Sequence, residues 1–100
     1  MSARELFEKI GYKQTKHNIF DEEIKPNEFI TQDEPYINYR DENEIGIEEI
    51  EFRFYSKRVW IYAFDKRTNC RIHAPLNYQE ILAIQKQIEE LGWNNVNITN

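Results

Sequence analysis

Cysteine is almost missing from these 100 residues: Cys70 stands alone, which excludes an internal disulfide and leaves no Cys-rich zinc framework. Glycine occurs three times, too sparsely for a phosphate-cradling loop, and neither a nucleophile elbow nor a recognisable acid pair is present. No apolar run is long enough to span a bilayer, and no apolar N-terminal segment resembles a signal peptide, so the expectation is a soluble, cytoplasmic protein with no membrane partner. The length suits one domain with a single core. We place that domain over 1–93 and read the polar NNVNITN of 94–100 as a frayed tail.

What is present begins with two well-punctuated helices. In NYQEILAIQKQIEELGW, Asn77 caps the first turn and Glu80, three residues on, reaches back to it. Ile81, Ile84, Ile88 and Leu91 then recur at steps of three and four, widened by Leu82, with Gln79, Lys86, Gln87 and Glu90 expected on the opposite face. Gly92 stands where a left-handed cap is needed, and Trp93 where such a cap folds an apolar side chain back near Ile88. At the other end of the chain, Ser2 and Glu5 form a second capping box before Leu6, Phe7 and Ile10, and Gly11 and Tyr12 close that helix in the same way.

Between the helices the period changes to two. Lys13 to Lys16 can start a strand; the stretch to residue 35 fits neither period and reads as an irregular excursion with Phe20, Ile24 and Phe29 as anchors. After Pro35, Ile37 and Tyr39 alternate with Tyr36 and Asn38 as in a strand, and DENEIG (41–46) reads as a turn. The clearest β pattern follows. Ile50, Phe52 and Phe54 alternate with charged residues, and Val59, Ile61 and Ala63 alternate with Trp60, Tyr62 and Phe64. A loop of two or four residues around Ser56 and Lys57 sets Phe54 opposite Val59, Phe52 opposite Ile61 and Ile50 opposite Ala63, with Arg53 beside Trp60 and Glu51 beside Tyr62 on the other face. CRIHA adds a last strand, with Cys70 and Ile72 expected inward and Arg71 and His73 outward. The fold class is α+β: a two-layer, antiparallel meander of three to four strands with both helices on one face.

Charge is unevenly spread. Residues 18–51 hold twelve acids against Lys25 and Arg40, a net of minus ten, whereas 53–73 hold six bases against Asp65, a net of plus five. Cys70 and His73 have CxxH spacing, but residues three apart on a strand point to opposite faces and would not share an ion. Asp41, Asn43 and Gly46 echo a calcium loop, yet Ile45 and Phe52 fall where oxygen ligands are needed. His17 has no identifiable partner and His73 reads as a surface or structural histidine, so we expect neither enzyme chemistry nor a cofactor.

The outward sheet face carries the functional expectation. Trp60, Tyr62 and Phe64, placed with Arg53, Arg58, Arg71 and His73, form an aromatic and basic surface rich in the residue types that dominate interface energetics. The leading expectation is a protein partner or a homodimer through this face. Single-stranded nucleic acid is the alternative, with bases stacking on rings and phosphates meeting guanidinium groups. A third reading has the acidic 18–51 stretch presenting a DNA-like surface to a basic host protein. The SARELFEKIGYK opening together with the QEILAIQKQIEELGW ending resembles the small proteins of phages and prophages of low-GC Gram-positive bacteria. That resemblance covers the two helices, about a quarter to a third of the chain. It implies an origin in a mobile element and a place in the host cytoplasm, and it carries over no active site.

Overall fold

A computed structural model of the chain describes residues 1–17 and 34–93. Among them run α1 (Ala3–Lys9), β1 (Lys13–His17), β2 (Tyr36–Glu42), β3 (Gly46–Arg53), β4 (Arg58–Asp65), β5 (Cys70–Arg71) and α2 (Tyr78–Glu90). The strands form one antiparallel meander in the order β1-β2-β3-β4-β5. The two-layer α+β class stands, with five strands where three or four were expected: KQTKH pairs along β2 from Lys13 opposite Arg40 to His17 opposite Tyr36. The expected anchors Phe20, Ile24 and Phe29, and the tail 94–100, lie outside the described residues.

Both helix starts are capping boxes. The Ser2 hydroxyl accepts from the Glu5 N–H at 3.1 Å, and Asn77 Oδ1 accepts from the Glu80 N–H at 2.8 Å while Glu80 Oε1 accepts from the Asn77 N–H at 2.9 Å. Gly11 and Gly92 end their helices at φ +103 and +76, a region that costs glycine nothing.

The core is aromatic. Phe7 of α1 stacks on Tyr39 of β2 with ring centroids 3.8 Å apart, and both meet Phe52 of β3 edge-on at 6.1 and 6.0 Å. Each such ring stabilises the fold by about 1.5–3 kcal/mol through burial alone. Tyr12, Ile37, Ile50 and Ala83 complete the buried cluster, and Leu6, Ile84, Ile88, Leu91 and Trp93 pack against it.

Alpha2 is turned from its expected orientation. Its buried residues are Glu80, Ala83 and Gln87; Ile84, Ile88 and Leu91 are half-buried, and Ile81 and Leu82 are exposed. The reason is that the helix divides its contacts between the sheet and α1. Ala3 and Ala83, small and fully buried, let the helices approach until the Ala3 N–H donates to Glu90 at 2.7 Å. Ile81 is left on the far flank, 48% exposed. The two buried polar side chains are not orphans, since Gln87 accepts from the Tyr39 hydroxyl and Glu80 from the Tyr12 hydroxyl.

The central hairpin keeps the expected faces but slips by two residues. Phe52 lies opposite Val59, Ile50 opposite Ile61, and Arg53 opposite Arg58. The physical cause is Glu34, whose buried carboxylate accepts from the Tyr55 and Ser56 N–H groups and the Ser56 hydroxyl at 2.9–3.0 Å. Those bonds, with Pro35 accepting from the Phe54 N–H and Lys57 at φ +53, fix a four-residue loop over 54–57. An even slip preserves side-chain parity, so the helix side still receives Ile50, Phe52, Val59 and Ala63. Ile61 points to the same side yet remains 47% exposed, because the helices are anchored on β2 and β3.

The last strand is corrected most. Only Cys70 and Arg71 pair with β4, after which Ile72 donates one bond to the Ala63 carbonyl. Cys70 is exposed and its thiol donates to the Thr68 carbonyl at 3.3 Å, and Ile72 is exposed too, so neither is the inward residue expected. Two residues of pairing cannot hold a strand flat against the helices, and neither of the described helices packs on that corner of the sheet.

Candidate functional site

The face of the sheet turned away from the helices carries Trp60, Tyr62 and Phe64 of β4, as parity requires. Trp60 and Tyr62, two residues apart on one strand, hold their rings parallel, with planes 7° apart and centroids 6.3 Å apart. The Arg53 guanidinium stands over the Trp60 ring at 5.8 Å and that of Arg71 over the Tyr62 ring at 5.5 Å. These are diagonal contacts, from Arg53 opposite Arg58 and from Arg71 opposite Phe64, and each cation meets the negative face of its ring. The result is a ladder of arginine, tryptophan, tyrosine and arginine across three strands.

The other expected members stand at its margins. Arg58 is exposed at the start of β4, Phe64 is half-buried between Ile47 and Arg71, and His73 lies exposed beyond the end of β5, outside the ladder. Arg53 also pairs with Glu51 at 2.8 Å, and its basicity is raised by that carboxylate against the opposing effect of partial burial.

The face is not uniformly basic, and the acid expected on it, Glu51, is joined there by Glu49. Glu51 lies opposite Trp60 and Glu49 opposite Tyr62, and Asn38 donates to Glu51 at 3.3 Å and to Glu49 at 3.5 Å. Asn38 and Glu51 are only 6% and 8% exposed, whereas Trp60, on the next strand, is 40% exposed. The face is therefore closed around Asn38 and Glu51 and open along β4. The alternation of Glu49, Glu51 and Arg53 with Ile50 and Phe52 in the β3 stretch is the sequence signal for these carboxylates.

A second polar constellation lies on the helix side. Tyr12 Oη is 2.5 Å from Glu80 Oε2 and 3.0 Å from Glu48 Oε2, and burial, then those carboxylates, push its phenol far above the usual tyrosine value. One hydroxyl hydrogen serves one of the two acceptors at a time. The adjoining cavity of about 10 Å³ has no room for more than a single water, so the cluster is suited to tying β1, β3 and α2 together, not to holding a substrate. Among the described residues no three His, Cys, Asp or Glu side chains come together as metal ligands, and no helix is long and apolar enough to cross a membrane.

Comparison of the chain with protein-family models, with curated proteins and with solved structures finds no match.

Proposed function

We propose that the chain is a non-enzymatic interaction module that takes a protein partner, or a second copy of itself, on the β4 side of its outward sheet face. One observation carries this reading: an exposed Trp60 stacked on Tyr62, with an arginine over each ring. Aromatics with a polar edge and arginine are the side chains that most often dominate binding energy, and rings already held parallel lose little freedom when they are covered. An origin in a mobile element and action in the host cytoplasm belong to the same proposal and rest on the resemblance of the two helices.

Retention of a partner from host extract by the wild-type chain, lost with Trp60→Ala, is the expected result, with light scattering after size exclusion reporting self-association. A strict monomer at high concentration that retains nothing overturns the proposal. Single-stranded nucleic acid is the second reading, favoured by the parallel rings and their arginines. Glu49 and Glu51, interleaved with those rings, would repel phosphates and weigh toward a protein. An oligonucleotide shift at low salt that fades as salt rises would reverse that preference.

A further inference from the structure

The two edges of β4 are unequally paired. On its inner edge β3 pairs with every residue from Arg58 to Asp65; on its outer edge β5 pairs only with Phe64 and Asp65 and adds the bond from Ile72 to the Ala63 carbonyl. Among the described residues, the outer edge over 58–62 carries no strand. Backbone groups alternate along a strand between its two edges. Since the Ala63 carbonyl faces outward, so do the N–H and C=O of Ile61 and Val59, two residues and four residues before it. These four backbone groups are an open template for a further strand.

The geometry points to β4 as an edge that an extended acidic and aliphatic segment of a protein partner joins, antiparallel, along 58–62. This rests on the interaction reading above and deepens it, by assigning the edge and the class of partner. The chemistry of both faces sets that class. On the outward face the flanking charges are Arg58 and Arg71, both exposed and neither in an ion pair with another described residue. An added strand with carboxylates at the positions opposite Arg58 and Tyr62 would meet Arg58 directly and, in line with β5, the Arg71 guanidinium that stands over the Tyr62 ring. On the helix side the same strand would set aliphatic side chains opposite Val59 and Ile61, covering Ile61, which is 47% exposed.

The inner edge supplies the precedent. There β4 already accepts such an alternation from β3, with Glu49 opposite Tyr62, Ile50 opposite Ile61, and Glu51 opposite Trp60. A second copy fits less well. Antiparallel pairing of two β4 strands about Trp60 places the Arg58 of one copy opposite Tyr62 of the other, beside an Arg71 already over that ring, so two like charges share one aromatic.

The test uses the full chain in a Trp93→Phe background, so that Trp60 is the fluorophore, and a seven-residue peptide of alternating glutamate and isoleucine with capped ends. Binding is expected to change Trp60 emission and to slow hydrogen exchange of the Val59 and Ile61 amides at least about tenfold at saturation. A peptide with lysine in place of glutamate, and one N-methylated on alternate residues, are expected to bind at least about tenfold more weakly, and Arg58→Glu with Arg71→Glu should exchange the preference to the lysine peptide. Ile61→Pro removes an outward N–H and no bond to β3. It should abolish binding, and if it unfolds the chain the N-methylated peptide still tests the backbone. Binding without protection of Val59 and Ile61, or equal binding of the N-methylated peptide, overturns the edge while leaving the interaction reading intact. Equal or tighter binding of the lysine peptide overturns the partner class, as does no binding of the glutamate peptide. Loss of a natural partner with Trp60→Ala separates the fate of the edge from that of the face.

Discussion

The bond between the Tyr39 hydroxyl and Gln87 is the most exacting test of how the two layers are joined. Tyr39 is fully buried on β2 and Gln87 nearly so on α2; the phenol donates to Gln87 Oε1 and accepts from Gln14 Nε2 at 3.0 Å. Tyr39→Phe deletes the donor and leaves a buried amide carbonyl unmatched, which costs about 1–3 kcal/mol. Gln87→Leu keeps most of the side-chain volume but leaves the phenol O–H without its acceptor, at a similar cost of about 1–3 kcal/mol. Removing both leaves two apolar groups of nearly the original shape, and the double variant should fall within about 1 kcal/mol of wild type. The expected coupling is therefore about 3 kcal/mol, with the double variant more stable than either single one. Urea unfolding in a Trp60→Phe background follows it through Trp93, whose ring lies 6.3 Å from that of Phe52. At a slope of about 1–1.5 kcal/mol/M, each single variant should lose roughly 1–2 M in midpoint and the double should recover most of it. A double variant that loses the sum of the two single effects would show that the hydroxyl and the amide do not satisfy one another, and the account of why α2 turns Gln87 inward would be wrong.

Alkaline pH should expose the buried phenols. Tyr12 and Tyr39 are both held above their ordinary value of 10.0, chiefly by burial. The unfolded chain therefore loses these protons first, and the stability they contribute is full below about pH 10 and declines above it, for Tyr12 by about 1.4 kcal/mol per pH unit. Urea midpoints between pH 9 and 11 should fall less steeply in Tyr12→Phe than in wild type. Asn77→Ala should cost about 1 kcal/mol, while Glu80→Ala, which removes both the cap and an acceptor of Tyr12, should cost about 2–3 kcal/mol; thermal unfolding would rank them. Gly46→Ala should destabilise by about 1–3 kcal/mol in the same assay, because its methyl would come within 2.4 Å of the Phe64 carbonyl oxygen, a backbone atom held in the β3–β4 ladder. Arg58→Glu, which turns the like-charge contact of two β4 edges into an attractive one at two symmetric positions, should favour a dimer by about 2 kcal/mol, near thirtyfold, in sedimentation at low salt; a strict monomer would count against the proposed pairing register.

The features legible in the sequence are those set by a few neighbouring residues. Ser2 with Glu5 and Asn77 with Glu80 announce helix starts; Gly11 and Gly92 announce their ends; alternation from Ile50 to Phe64 announces two strands and which side of each faces the helices. What stayed hidden depends on residues far apart in the chain. The slip of the hairpin comes from Glu34, some twenty positions before the loop that it clamps, and no local pattern signals that contact. The rotation of α2 follows from Ala3, at the opposite end of the chain, and from two tyrosines that need buried partners. Gln87 and Glu80 then read as surface residues by type although they are core residues by hydrogen bonding. The aromatic and arginine ladder was within reach because it needs only parity; the same parity sets Glu51 on that face, and only its exact partner, Trp60 in place of Tyr62, depends on the slip.

Geometry explains why the open margin falls on β4. Five strands at about 4.8 Å make a sheet roughly 24 Å wide, whereas two helices packed side by side at about 8–10 Å cover about 20 Å at most. Contact through Ala3 and Ala83 draws the pair toward the narrow end of that range, and α1 is held over β1 and β2 by Tyr12 and by the stacking of Phe7 on Tyr39. The deficit, about one strand wide, must appear at the opposite side of the sheet, where Ile61 is left uncovered and β5 is too short to close the edge. An exposed edge is ordinarily guarded against self-pairing by charge, and Arg58 serves that purpose here. The same cation that repels a second β4 attracts a carboxylate, so guarding the edge and choosing an acidic partner are one electrostatic arrangement seen from two sides. The position of the margin follows from the width of the helix layer, and the sign of what can complete it follows from Arg58 and Arg71.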